Sequence, residues 1–439
     1  MLLGRSWSTS ASLPTKGDAL TSAAKLYLPG HLQRATAPTG DIATLLFFAL
    51  TVPFLIVTSY GAHPLAAFDV QRLTWFAADA FVAATLLLRA NAVLRMVRSY
   101  PILMSWPTLA CLSAIWSLTP GISLYQGIQF YFTILIGFVL CFYANLERIM
   151  QAIVIAMLGA AGLSVLYILG SPGAGLWPDG SWMGVFPHKN MLGQAMALLI
   201  FTSVCLLLQG WRPIVSVGGV IAGIGLLLMS RSGVAAIGTC VALAPLPLAL
   251  AYRRGPVIVS LGLGLGIVAV ATLLLGLEIK GLNIYEAVLN ALGKDATLTG
   301  RTILWEFGID AYNARPWLGY GFKAWWESPE TSATLLRLVI EQDLWFFHNN
   351  FLEVLVAFGP IGPILLAAGL LSGLFGAVRR FAKRPQFIEL WPIMLICFAI
   401  LSALGENELF LNHSLQQVLL VVAIVGRAGS SKIGSSAAS

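Results

Sequence analysis

Charge is what this sequence has least of. Only 10% of its 439 residues are Asp, Glu, Lys or Arg, against 58% apolar. A soluble domain carries about 25% charged residues. That scarcity excludes an ordinary soluble fold and leaves a chain whose solvent is mostly lipid. Cysteine is also sparse. Cys111, Cys141, Cys205, Cys240 and Cys397 all lie in apolar runs and no CxxC pair occurs. Neither a disulfide framework nor a cysteine metal site is supported. The sequence has no P-loop, no GxGxxG opening a strand–helix unit, no HExxH and no Asp-x-Asp. Its net charge of +7 would suggest a nucleic-acid ligand in a soluble chain. Here the excess is loop Lys and Arg that set membrane topology, and no nucleic acid is expected.

What remains is long apolar runs. Segments of about 17–25 residues can cross the hydrocarbon. They fall at 41–61, 72–90, 101–119, 122–143, 149–169, 191–209, 212–230, 232–252, 256–276, 350–377, 387–404 and 409–426. The expected fold is all-α: a polytopic membrane protein with about 12 transmembrane helices and one long outer loop containing short helices. Its parts are a flexible cytoplasmic tail at 1–40, spans one to nine within 41–276, the loop at 277–349, spans ten to twelve within 350–427, and a cytoplasmic tail at 428–439. The first apolar run begins near Asp41, late for a cleaved signal peptide.

Loop charge sets the orientation. With both termini inside, all but nine of the 26 Lys and Arg face the cytoplasm. Six of the nine lie in the long loop, where the positive-inside rule is weak. The short outer loops keep Arg72, Lys189 and Arg231 alone. This topology gathers three features on the outer face: Gly184-Val185-Phe186-Pro187-His188-Lys189-Asn190, Ser230-Arg231-Ser232, and the long loop.

Several of these residues could carry chemistry. Arg231 interrupts an apolar run and reads either as a helix-end Arg reaching the interface or as a ligand for an anion. Arg301 follows Thr299, a candidate N-cap, in the first turn of a helix that Pro316 ends. It reads as a surface Arg or as an anion site at a helix N-terminus. Together the two suggest pyrophosphate, which a guanidinium fork suits. His348 stands before Asn349 and Asn350 at another helix start. The positive dipole end favours neutral imidazole there, the form a general base needs; a structural role is the alternative. Five of the 13 Trp sit in the loop, fitting an interfacial belt or a sugar-stacking site. Glu406 and Glu408, the one close acidic pair outside, are a weak metal signal. Asp69 lies in the first outer loop. Asp79, within the second span, is a charge with no evident partner.

The motifs resemble a family. His348-Asn349, nine residues, then Gly359-Pro360-Ile361-Gly362 is similar to the His-Asn…Gly-x-x-Gly pattern of the bacterial O-antigen ligase and polysaccharide polymerase superfamily. Thr299-Gly300-Arg301 with Leu304-Trp305, Arg315-Pro316-Trp317-Leu318-Gly319-Tyr320-Gly321, Phe186-Pro187-His188-Lys189-Asn190 and Ser230-Arg231-Ser232-Gly233 resemble its exopolysaccharide-polymerase branch. The likeness covers roughly residues 180–425; before that, only hydrophobic spans match.

The resemblance implies inverting, metal-independent glycosyl transfer without a cofactor, at the periplasmic face of the bacterial inner membrane. The donor would be a glycan on undecaprenyl pyrophosphate. The acceptor would be another lipid-linked repeat for a polymerase, or lipid A–core for an O-antigen ligase. His348 takes the place of the family's catalytic histidine, and Arg231 and Arg301 match its essential arginines. His188, Lys189, Asn190 and Asn349 join the expected substrate-binding set, with Asn349 orienting the acceptor or capping the helix. Membrane lipids, a chain-length regulator and export proteins are the expected partners. A transporter or flippase of lipid-linked glycan is the rival class, weakened by the few intramembrane charges and the lack of an internal repeat.

Overall fold

The computed structural model describes residues 70–254, 301–340 and 345–428. The spans expected at 41–61 and 256–276, Asp69, the tails at 1–40 and 429–439, and the start of the long loop lie outside the described residues.

The described chain is all-α and contains no strand. In order, α1 is Val70–Arg98, α2 Pro101–Leu112, α3 Pro120–Tyr143, α4 Leu146–Gly170, α5 Pro172–Gly175, α6 Lys189–Leu208, α7 Pro213–Ser230, α8 Gly233–Leu243 and α9 Pro245–Arg254. After the undescribed stretch come α10 Arg301–Ala314, α11 Ala324–Glu327, α12 Ala333–Ile340, α13 Asn350–Phe358, α14 Ile361–Lys383, α15 Phe387–Gly405 and α16 Leu415–Val425. Their starts follow local chemistry. Pro120 and Pro213 occupy first-turn positions that need no N–H donor. Asn145 caps α4 by accepting from Arg148 N at 2.9 Å, and Ser414 caps α16 through Gln417 N.

Eight segments among the described residues are long and apolar enough to span a bilayer. They correspond to α1, α3, α4, α6, α7, α8 with α9, α14 and α15. The last-named, with α6, forms the centre: 78% of the most apolar window in each is buried, against 22–50% in the others. Trp391 of α15, fully buried, donates its indole N–H to Thr202 of α6 at 2.8 Å. The outer helices instead expose Leu87, Leu166 and Ile214, as hydrocarbon rather than water requires.

Three spans differ from the sequence reading. The run expected at 350–377 is two helices, broken at Gly359-Pro360. The backbone of Gly359 has φ +64°, and a Cβ there would stand 2.2 Å from Trp317 O. The run at 101–119 stops as α2 plus a 3₁₀ turn, Ser113–Ile115. Ser113 Oγ donates to Ala110 O at 2.6 Å and accepts from Phe322 N at 3.0 Å, so the long loop docks on that helix end. The run at 409–426 is helical only from Leu415. Its first residues form a loop whose backbone is bound by side chains of α13 and α16, so this irregular backbone is satisfied within the protein.

Candidate functional site

The segment leading into α13 is built by aromatic burial. Phe347 is fully buried against Trp325 and Trp326, at ring distances of 4.8 and 4.7 Å. Its peptide is held from both sides. Trp305 Nε1 donates to Phe347 O at 3.0 Å, and Phe347 N donates to Glu353 Oε2 at 3.1 Å. Trp326 Nε1 donates to the other oxygen of Glu353 at 2.8 Å. The next residue, His348, takes φ +52°, a left-handed conformation that costs a non-glycine residue about 1–2 kcal/mol. Asn349 is the cap of α13, its Oδ1 accepting from Leu352 N at 3.1 Å. Of the two roles open to Asn349, capping is the one the geometry displays.

The imidazole of His348 points at Glu406, just past the end of α15. Nδ1 and Glu406 Oε2 are 3.1 Å apart. Arg301 Nη2 donates to Oε1 at 3.0 Å, and Asn190 Nδ2 donates to the same oxygen at 2.9 Å. One buried carboxylate therefore gathers the starts of α6, α10 and α13. Gly405 leaves room for this: a Cβ there would lie 3.2 Å from the Arg301 guanidinium. Burial by itself would raise the Glu406 pKa. The hydrogen bond from His348 and the positive charge of Arg301 outweigh it and hold the carboxyl below the usual range.

An ionised Glu406 fixes the tautomer of its partner. A carboxylate only accepts, so Nδ1 of His348 must carry the hydrogen. In the neutral ring the lone pair is then on Nε2. A histidine oriented by a carboxylate, with the far nitrogen available, is the arrangement a general base requires.

His188 serves differently. It caps α6, with Nδ1 accepting from Asn190 N at 3.0 Å, and meets the Trp177 ring edge-on at 4.3 Å. Burial lowers its pKa most; nearby His348, Lys189 and Arg301 add to this, against the pull of Glu406. Its neutral form suits the cap.

The two arginines do not share a partner. Arg231 ends α7 with φ +49°, is exposed, and donates to Asp179 O at 3.3 Å. Lys189 is paired with the Asp179 carboxylate. Hydrogen bonds from Lys189 and Ser181 hold Asp179 well below the usual carboxylate range. Arg231 is thus linked to Lys189 through Asp179, and Arg301 to Asn190 through Glu406. Consecutive residues at the start of α6 connect the two cations that the sequence pairs directly.

Glu406 is the residue that sequence reasoning missed as a site. Its proximity to Glu408 suggests a metal, yet both its oxygens are taken by protein donors. Asp79 also gains a neighbour: His413 Nε2 lies 3.8 Å from its carboxylate and the His413 ring stacks on Trp75 at 4.7 Å.

Residues 217–367 match the family described as O-antigen ligase. The matched interval contains Arg231, Arg301, His348, Asn349 and both glycines of the Gly359–Gly362 turn. This region of the chain is similar to the O-antigen ligase family. A relative, the exopolysaccharide production protein ExoQ of Rhizobium meliloti (strain 1021), is 30% identical over 220 residues. The alignment covers 47% of this chain and 49% of ExoQ, so the chain spans about half the length of that relative. The motifs that carry the resemblance have a structural meaning here. Tyr320 N and Gly321 N donate to Val356 O and Ala357 O, at 3.0 and 2.9 Å. The Arg315–Gly321 motif is therefore fastened to the last turn of α13, next to the break at Gly359.

Proposed function

We propose that this protein lengthens a polysaccharide by transferring a glycan from a lipid pyrophosphate carrier to a sugar hydroxyl. The observation that carries this reading is the His348–Glu406 pair, with Arg301 on the same carboxylate. The acceptor O–H gives its proton to His348 Nε2, and its oxygen attacks the anomeric carbon of the donor. The bond from that carbon to the pyrophosphate oxygen breaks on the opposite side, which inverts the configuration. The electron pair leaves on the pyrophosphate, whose charge Arg301, Arg231 and Lys189 would meet. Glu406 stabilises the imidazolium that forms. Such a leaving group is already good, so the base and the charge stabilisation do most of the work.

The likeness to an exopolysaccharide production protein favours a polymerase, whose acceptor is another undecaprenyl-linked repeat. The O-antigen ligase match favours a second reading, in which the same chemistry delivers the glycan to lipid A–core. The site would face the periplasm, with the protein in the bacterial inner membrane and both termini cytoplasmic. A chain-length regulator and export proteins would act on its product.

Purified protein in nanodiscs, given undecaprenyl-pyrophosphate-linked repeats without nucleotide or ion gradient, should make longer lipid-linked chains. Folded protein that gives neither elongation nor transfer to lipid A–core would refute the enzyme reading and leave the flippase.

A further inference from the structure

One polar side chain beside the pair has an arrangement of its own. Asn350 is the first residue of α13, two positions after His348, and is fully buried. An amide side chain offers two donors and two acceptor lone pairs. Asn350 uses all four, and every partner belongs to the segment directly after Glu406. Its Oδ1 accepts from Glu408 N and Leu409 N, each at 3.1 Å. Its Nδ2 donates to Asn407 Oδ1 and Leu409 O, each at 2.5 Å. The remaining hydrogen bonds of this segment lead elsewhere. Glu406 N bonds back to Ser402 O within α15. Ser414 Oγ donates to Glu408 O, and Gln417 Oε1 accepts from Phe410 N; both lie at the α16 end. Asn350 alone among these joins the residues after Glu406 to the helix that follows His348.

We propose that Asn350 is a positioning residue for glycosyl transfer: by clamping residues 407–409 to the first turn of α13, it sets Glu406 within hydrogen-bond distance of His348. The proposal rests on the glycan-transfer reading above. Few other side chains replace Asn350. Aspartate loses both donors and brings a negative charge beside Glu406 and Glu408. Glutamine adds a methylene at a site with no exposed surface. Asn349, its neighbour, caps the helix through Leu352 N.

A residue that acts through Glu406 differs measurably from one that only stabilises the fold. The test is a double-mutant cycle on the full chain in nanodiscs, reading elongation of undecaprenyl-pyrophosphate-linked repeats by wild type, Asn350→Ala, Glu406→Gln and the double variant. A misplacement of about 1 Å at a catalytic group costs about 100-fold in rate. Asn350→Ala should therefore lower kcat about 10- to 100-fold and leave the donor KM within about 2-fold. In the Glu406→Gln background the same change should cost less than about 3-fold, because there is no longer a carboxylate to position. Equal losses in both backgrounds overturn the proposal and reduce Asn350 to scaffold. If Asn350→Ala does not fold, Asn407→Ala removes one of the four bonds and is read in the same cycle. Its loss should again shrink in the Glu406→Gln background, and equal losses again overturn the proposal. A folded but inactive wild type overturns the glycan-transfer reading and this proposal with it, whereas equal losses with an active wild type overturn this proposal alone.

Discussion

Glu406 takes hydrogen bonds from side chains 58, 105 and 216 positions away in sequence. Glutamine there removes the charge and turns one acceptor oxygen into an N–H2 donor, so at least one of the three donors loses its acceptor. Glu406→Gln should lower kcat about 100-fold, within the range that positioned acid–base groups contribute, with normal membrane insertion. An unchanged rate would remove the carboxylate from the mechanism. Arg301→Lys should recover only part of the activity lost in Arg301→Ala, since an ammonium lacks the planar fork that spans Glu406 and a phosphate; full recovery of donor use would count against that geometry.

Two residues further on, Glu408 behaves in the opposite way. Its shielding from water and the charge of Glu406 push its pKa up to about 8. An acid whose folded pKa is raised contributes stability that is complete below its unfolded value, near 4.5. That contribution is lost as pH rises through about 8. Thermal midpoints of the purified protein should therefore decline from about pH 5 to pH 8, and Glu408→Gln should flatten that slope. A variant that keeps the full slope would assign the pH dependence to other groups.

At the scale of elements, the legible and the illegible parts divide by distance along the chain. Apolar length alone reads α3, α4, α6, α7 and α15 closely, because a span announces itself within about 20 residues. The loop motifs and His348 are readable as local patterns too. Glu406 is not, because its meaning comes from three partners on other elements. Asn350 is not either, because a second Asn after a histidine looks like one more cap. The break in the run at 350–377 was written in Gly359-Pro360 but outweighed by the hydrophobicity around it. That break makes a firm prediction. Gly359→Ala puts a Cβ 2.2 Å from Trp317 O at a left-handed φ. It should cost about 1–3 kcal/mol or more and loosen the Arg315–Gly321 motif, so thermal midpoint and elongation should fall together. A wild-type midpoint would show that the turn relaxes freely.

For the molecule as a whole, His348, Arg301, Asn190 and Glu406 meet at one end of the bundle. The basic last turn of α14, with Arg380 and Lys383, lies a full span away from that end. The proposed orientation puts the first group in the periplasm and the second in the cytoplasm. In spheroplasts, a membrane-impermeant maleimide should label Trp345→Cys without permeabilisation and Arg384→Cys only after it. Labelling in the reverse order would invert the topology and move the site to the cytoplasm.

The most direct test of the central claim is the length of lipid-linked glycan made by purified wild type and His348→Ala from undecaprenyl-pyrophosphate-linked repeats. Wild type should give a ladder of longer products, and an equally folded His348→Ala protein only unextended repeats. A ladder of the same length and rate from His348→Ala would contradict that claim.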